Sequence, residues 1–213
     1  DPVKAELRGK LLLPVLGDQY GRVLERGELQ LAYDAGALRL RYFERTFPVN
    51  PRRVPTVLRT GLEALQARLG DADADVREFL SILTALDNLP AVLETDRDRV
   101  AERQREKEVA RERLHRLTQR SPDIREHVQR CVTEFNGRPG DRASYEPLHR
   151  LLDQQAYRLA YWRTAFHEIN YRRFFDVNGL ACLRMEEPEV FETAHRLLLE
   201  LIAKGQVSGV RLD

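Results

Sequence analysis

The chain carries only two cysteines, one methionine and one tryptophan in 213 residues. Cys131 and Cys182 stand far apart, without a CxxC spacing or a preceding secretory leader, so no disulfide framework is implied and a reduced, cytoplasmic setting is expected. Long apolar runs are missing too. Nothing approaches the roughly 20 consecutive apolar residues that a membrane-spanning helix needs, and no membrane partner is expected. Charge of one sign is not in excess: 35 Lys and Arg face 34 Asp and Glu, a formal net charge of +1, so no global field calls for nucleic acid. The five histidines form no HExxH pattern and have no paired cysteines beside them, so neither a metal site nor a cofactor is expected. What remains is 42% hydrophobic content with 32% charge, enough for one sizeable domain or two small ones with a buried core.

Four short strands, at residues 10–16, 21–24, 28–33 and 37–43, are predicted in the first fifty residues, broken by Gly17-Asp18, Gly27 and the turn Asp34-Ala35-Gly36. Leu29, Leu31 and Tyr33, then Leu38, Leu40 and Tyr42, alternate with polar or small neighbours, which makes that turn a hairpin loop. Beyond Pro48, Pro51 and Pro55 the period becomes helical. Leu58, Leu62, Leu65 and Leu69 share a face before Gly70, and Val76, Phe79, Leu80, Leu83 and Leu86 form a second helix. Residues 96–120 predict a long exposed helix with a thin seam of Val100, Ala110, Leu114 and Leu117. Its arginines are interleaved with acids at helical spacing, the mark of a solvated face, with a coiled-coil partner as the alternative. Ser121-Pro122 reads as a cap and first turn, and residues 144–169 as one long helix carrying Leu148, Leu151, Leu152, Leu159 and Trp162 inward, with Tyr157, Tyr161 and Phe166 in the core.

Pro188 opens a further helix whose Val190, Phe191, Ala194, Leu197, Leu198, Leu201 and Ile202 make one broad apolar face, ended by Gly205. Residues 207–213 then predict a parallel strand. Alternation puts Arg211 and Asp213 on the same face, an ion pair at the carboxyl end of a strand, where α/β barrels place catalytic groups; a surface pair at a chain end is the alternative. One strand cannot make a barrel, so the remaining strands are expected outside this sequence, and the start on Asp1 is read the same way.

The string HEINYRRFFDVNGLACLRMEEPEVFETAHRLLLELIAKGQVSGVRLD resembles the maltooligosyltrehalose synthases of the α-amylase superfamily, as do LLLPVLGDQYGRVLERGELQLAYD and LLDQQAYRLAYWRTAFHEINYRRFFD. The resemblance implies a (β/α)8 barrel with a large insertion after its third strand, this chain being mainly α (α+β): a β-rich start of the insertion at 1–55, a helical insertion subdomain at 56–175, and a helix-strand piece of the barrel at 176–213. It implies that Gly209, Arg211 and Asp213 match a Gly-x-Arg-x-Asp motif, with Asp213 the nucleophile and Arg211 its orienting partner. Tyr171, Arg172, Arg173, Phe174 and Phe175 would line the substrate, a maltooligosaccharide. The bland reading of those five buries the phenylalanines and pairs the arginines with acids. Gly179 and Cys182 depart from the family pattern, which expects an acidic and a small residue there. The general acid would lie in the remainder of a parent chain, leaving this segment inactive alone. A helical interaction module and a plain glucan hydrolase are the competing functions.

Overall fold

The computed structural model describes residues 7–211. Leu11–Leu16 forms the first strand (β1), burying alternate residues Leu12, Pro14 and Leu16. Residues 21–24, expected as a strand, are instead part of a short helix, Tyr20–Glu25 (α1), which buries Val23 and Leu24. An apolar stretch this short carries too few residues for its period to decide between helix and strand. Leu29–Asp34 (β2) and Ala37–Tyr42 (β3) form the expected hairpin, with Leu31 opposite Leu40 and Asp34 opposite Ala37. Ala35 and Gly36 both adopt positive φ, 44° and 83°, as a two-residue turn matched to strand twist requires. Arg45–Pro48 (β4) adds to the far side of β3.

Helices complete the core of this first unit, which ends at Ile169. The single helix expected from Leu58 to Leu69 is two, Val54–Leu58 (α2) and Leu62–Leu69 (α3), because Gly61 between them sits in the left-handed region at φ 65°. Ala74–Asp87 (α4) begins on Asp73, whose carboxylate accepts from the N–H groups of Asp75 and Val76 at 2.8 and 3.0 Å. Arg97–Arg120 (α5) is capped in the same way by Asp96. Only its first half is the exposed helix expected. Ala110, Leu114 and Leu117 are each about 1% exposed and belong to the core that also holds α4 and Pro122–Phe135 (α6), so the seam is used internally. Arg113 adds a two-pronged ion pair to Glu78 at 2.9 and 3.0 Å, which holds that carboxyl below the usual range. Ser121 makes no side-chain cap bond to α6. It is buried at the junction, its N–H donating to Leu117 as α5 closes.

The long helix expected over 144–169 does not form. Glu146–Asp153 (α7) stops, and Tyr157–Tyr161 (β5) runs parallel to β1, with Leu11 opposite Tyr157 and Leu13 opposite Leu159. Tyr157, Leu159 and Tyr161 fit a period of two as well as a helical spacing, and the open edge of β1 selects the strand. A single 3-10 turn, Trp162–Thr164, and Ala165–Glu168 (α8) follow. Trp162 and Phe166, placed in the core by the helical reading, are 52% and 82% exposed.

The second unit begins at Asn170. Arg173–Phe174 (β6) pairs antiparallel with Val177–Ala181 (β7), and Pro188–Ala203 (α9) is the helix expected from its Pro and its apolar face, though none of its residues is buried. Residues 207–211 make no strand. A strand needs a neighbour to bond to, and the described residues supply none there; Leu212 and Asp213 lie outside them. Among the described residues no helix is long and apolar enough to cross a membrane.

A Cβ at Gly36 would lie 2.0 Å from the carbonyl oxygen of Arg111 in α5. Gly36→Ala is therefore expected to destabilise the protein by about 2 kcal/mol or more, combining a backbone clash with a side chain at positive φ. The check is a lowered urea midpoint at unchanged slope; an unchanged midpoint would sink the idea.

Candidate functional site

Of the residues implicated by resemblance, Tyr171, Arg172, Arg173, Phe174 and Phe175 all lie on or next to the β6–β7 hairpin. The sequence keeps this hairpin together through polar ties. Tyr171 Oη donates to the Asn178 carbonyl at 2.6 Å, and Arg173 donates to Asn178 Oδ1 at 2.7 Å while pairing with Asp176 at 3.1 Å. Cys182 N–H bonds to the Arg172 carbonyl at 2.9 Å. Arg172 reaches Glu186 at 3.0 Å; the backbone N–H of Glu186 and then the Arg172 guanidinium hold that carboxyl below its ordinary value. With both guanidinium groups engaged, the outward chemistry falls to the two phenylalanines. They meet edge to face, ring centroids 4.6 Å apart, and stay 55% and 80% exposed.

Phe175 has φ 51°, an unusual conformation for a bulky side chain that costs about 1 kcal/mol. Phe43, in the turn after β3, does the same at φ 50°, so the strain alone does not mark a site. What distinguishes Phe175 is its company: two adjacent exposed rings, a surface suited to stacking on a sugar ring. Beside it, a Cβ at Gly179 would meet nothing within 4 Å, so the missing acidic side chain leaves open space. Arg211 is exposed, and Asp213 lies outside the described residues.

The first unit holds two further features, a loop at the Gly17-Asp18 break expected from the sequence and a cleft that the sequence did not announce. At the carboxyl end of the parallel pair β1–β5, the N–H of Gly17 donates to Tyr42 Oη at 2.8 Å, and Asp18 pairs with Arg26 at 2.7 Å. The N–H of Gln19 and then Arg26 hold that carboxyl below its usual range. Across from this loop, the Arg163 guanidinium lies 5.3 Å from the ring centre of the exposed Trp162. The other is a cleft of about 410 Å³ bounded by the start of β3, the segment from Pro48 to Val54, and the face of α5 that carries Arg103, Lys107 and Arg111. Their i, i+4, i+8 spacing was the available signal, masked by the density of charge around it.

His127 and Cys131 look like a catalytic pair and are not one. His127 Nε2 lies 2.8 Å from the Leu58 carbonyl and therefore carries the proton, so it cannot accept one from the Cys131 sulfur 3.5 Å away. Burial pushes the thiol up to about 11, and both residues are fully buried. Among the described residues no group of three or more His, Cys, Asp or Glu is placed to hold a metal ion.

No family model matches the chain, and no solved structure does. Two curated proteins match, both named "Putative maltooligosyl trehalose synthase", from Mycobacterium tuberculosis strains CDC 1551 / Oshkosh and ATCC 25618 / H37Rv. Each is 43% identical over 61 residues, which is 29% of this chain and 8% of the relative. The chain therefore matches only a small part of each relative's length.

Burial keeps His127 neutral, lowering it from the ordinary value of 6.5. The folded state then binds fewer protons than the unfolded one, so stability is complete above pH 6.5 and falls as the pH drops through the lowered folded value. His127→Gln keeps an N–H for Leu58 and is expected to flatten this part of the pH dependence, read as urea midpoints at a series of pH values. Parallel curves for variant and parent would overturn the assignment.

Proposed function

We propose that this chain is part of a longer enzyme that rearranges the reducing end of a maltooligosaccharide, turning its last α-1,4 bond into an α,α-1,1 bond in trehalose formation. The observation that carries the reading is the 43% identity over 61 residues to proteins named "Putative maltooligosyl trehalose synthase". The exposed Phe174–Phe175 pair supports it as a surface for a sugar ring. So does α9, whose Phe191, Leu197 and Ile202 remain 44%, 69% and 40% exposed: an amphipathic helix with no buried residue suits a place against further structure, such as the rest of a barrel.

In this reading, residues 1–55 and 56–175 form an insertion and 176–213 return to a (β/α)8 barrel, working in the cytoplasm without a cofactor. The Asp213 carboxylate attacks the anomeric carbon, and an acid elsewhere in the parent protonates the departing oxygen of the terminal glucose. That glucose stays bound, turns, and attacks the glycosyl-enzyme ester through its own anomeric hydroxyl, giving its proton to the same group and releasing Asp213. Arg211 keeps Asp213 ionised, and Tyr171, Arg172, Arg173, Phe174 and Phe175 hold the sugar and keep water away.

The test is the complete parent protein with maltopentaose. Reducing ends are expected to disappear without an equal release of glucose, and Asp213→Asn to slow this by roughly four orders of magnitude. A net gain of reducing ends would establish a hydrolase instead, and no change in either would end the carbohydrate reading.

A further inference from the structure

We propose that the cleft beside α5 is a binding site for a small organic phosphate, independent of the rearrangement proposed above. Elsewhere on α5 the charges cancel locally: Arg99 pairs with Glu102, Arg113 with Glu78, Arg116 with Glu112 and Arg120 with Asp75. On the cleft face three cations stand one turn apart, Arg103, Lys107 and Arg111, an arrangement whose mutual repulsion a single acid relieves only in part. Arg39 enters from β3. Against these four cations the lining contributes a single carboxylate, Glu108, already shared by Lys107 at 3.2 Å and Arg111 at 2.8 Å.

Arg103 is the odd member. Its Nε is buried yet has no hydrogen-bond partner among the described residues, and its guanidinium forms no ion pair there. A permanent cation on the cleft face without an ion pair among the described residues favours an anion beside it. Arg39 is itself paired with Asp34 at 3.7 Å, so four cations against two acids leave an excess of two, which favours a doubly charged phosphate over a single carboxylate. Leu38, Val49, Val54 and Leu86 supply an apolar floor, so the phosphate is expected to carry an organic body rather than be free phosphate. The volume, about 410 Å³, suits a small molecule. The walls are also fixed in advance: Arg111 donates to the Ala35 carbonyl at 3.1 Å, and Gln155 accepts from the N–H of Asn50 at 2.7 Å while donating to the Leu151 carbonyl at 2.6 Å.

The test is an amide NMR titration of the full chain with phenyl phosphate, alongside phenol, benzoate and inorganic phosphate. Phenyl phosphate is expected to shift residues 36–39 and 103–111 with a dissociation constant of about 1 mM or tighter, the other three probes binding more weakly. Arg103→Gln should weaken binding roughly tenfold or more, whereas Arg105→Gln, on an exposed arginine paired with Glu106, should leave it unchanged. If Arg103→Gln does not fold, Lys107→Gln is read in its place. Absent shifts, shifts that follow phenol or benzoate equally, or binding unaffected in a folded cleft variant would each overturn the proposal.

Discussion

The hairpin turn and α5 approach backbone to backbone, and much of the first unit depends on that contact. No side chain fits at Gly36, 2.0 Å from where Arg111 presents its carbonyl, so the turn rests on the helix itself. From there the hairpin is tied down along its length. Tyr33 Oη bonds with Thr118 Oγ1 at 2.9 Å. Asn136, just past α6, uses its side-chain amide in place of a neighbouring strand, accepting from the Leu31 N–H at 2.6 Å and donating to the Leu31 carbonyl at 2.9 Å. The outer edge of β2 is thus closed at Leu31 by a helix end, which limits edge pairing with other chains.

How much of this was legible followed the range of the interaction that decides each element. The β2–β3 hairpin, α4, α6 and α9 were readable because alternation or a helical apolar period and, for α6 and α9, a Pro start lie within the element. β5 was not. Its pairing with β1 joins Leu11 to Tyr157 across most of the chain, and spacing within 157–161 alone admits helix or strand. The second half of α5 was misjudged for a related reason: its thin apolar seam looks solvated until α4 and α6 cover Leu114 and Leu117.

The candidate site was legible in part, and the two readings of YRRFF divide between them. The arginines do make ion pairs, as the bland reading had it, while Phe174 and Phe175 are exposed and not in the core where that reading put them. Neither outcome follows from composition. A two-residue strand such as β6 cannot bury both members of an aromatic pair, and Phe175 at the tip has no facing layer to enter. Trp162 shows the converse: removed from an expected helix core, it becomes an exposed ring at the carboxyl end of a parallel pair, where α/β proteins often gather ligand contacts.

A net charge of +1 argues against strong long-range attraction to polyanions, and it does not describe what a ligand meets at close range. At about 10 Å and beyond, screening by salt leaves little of any individual charge, and the near-equal totals decide. Within a half-enclosed cleft the local set decides instead, and α5 sorts its charges by face: acids oppose bases around most of its circumference, while the face turned to the cleft keeps Arg103, Lys107 and Arg111 together. A helix made for solubility alone has no reason to stack three cations above an apolar floor. Glu108 is the single acid among them, and a second would lower the energy at no cost to the core, because Ala110, Leu114 and Leu117 already supply the packing on the other side.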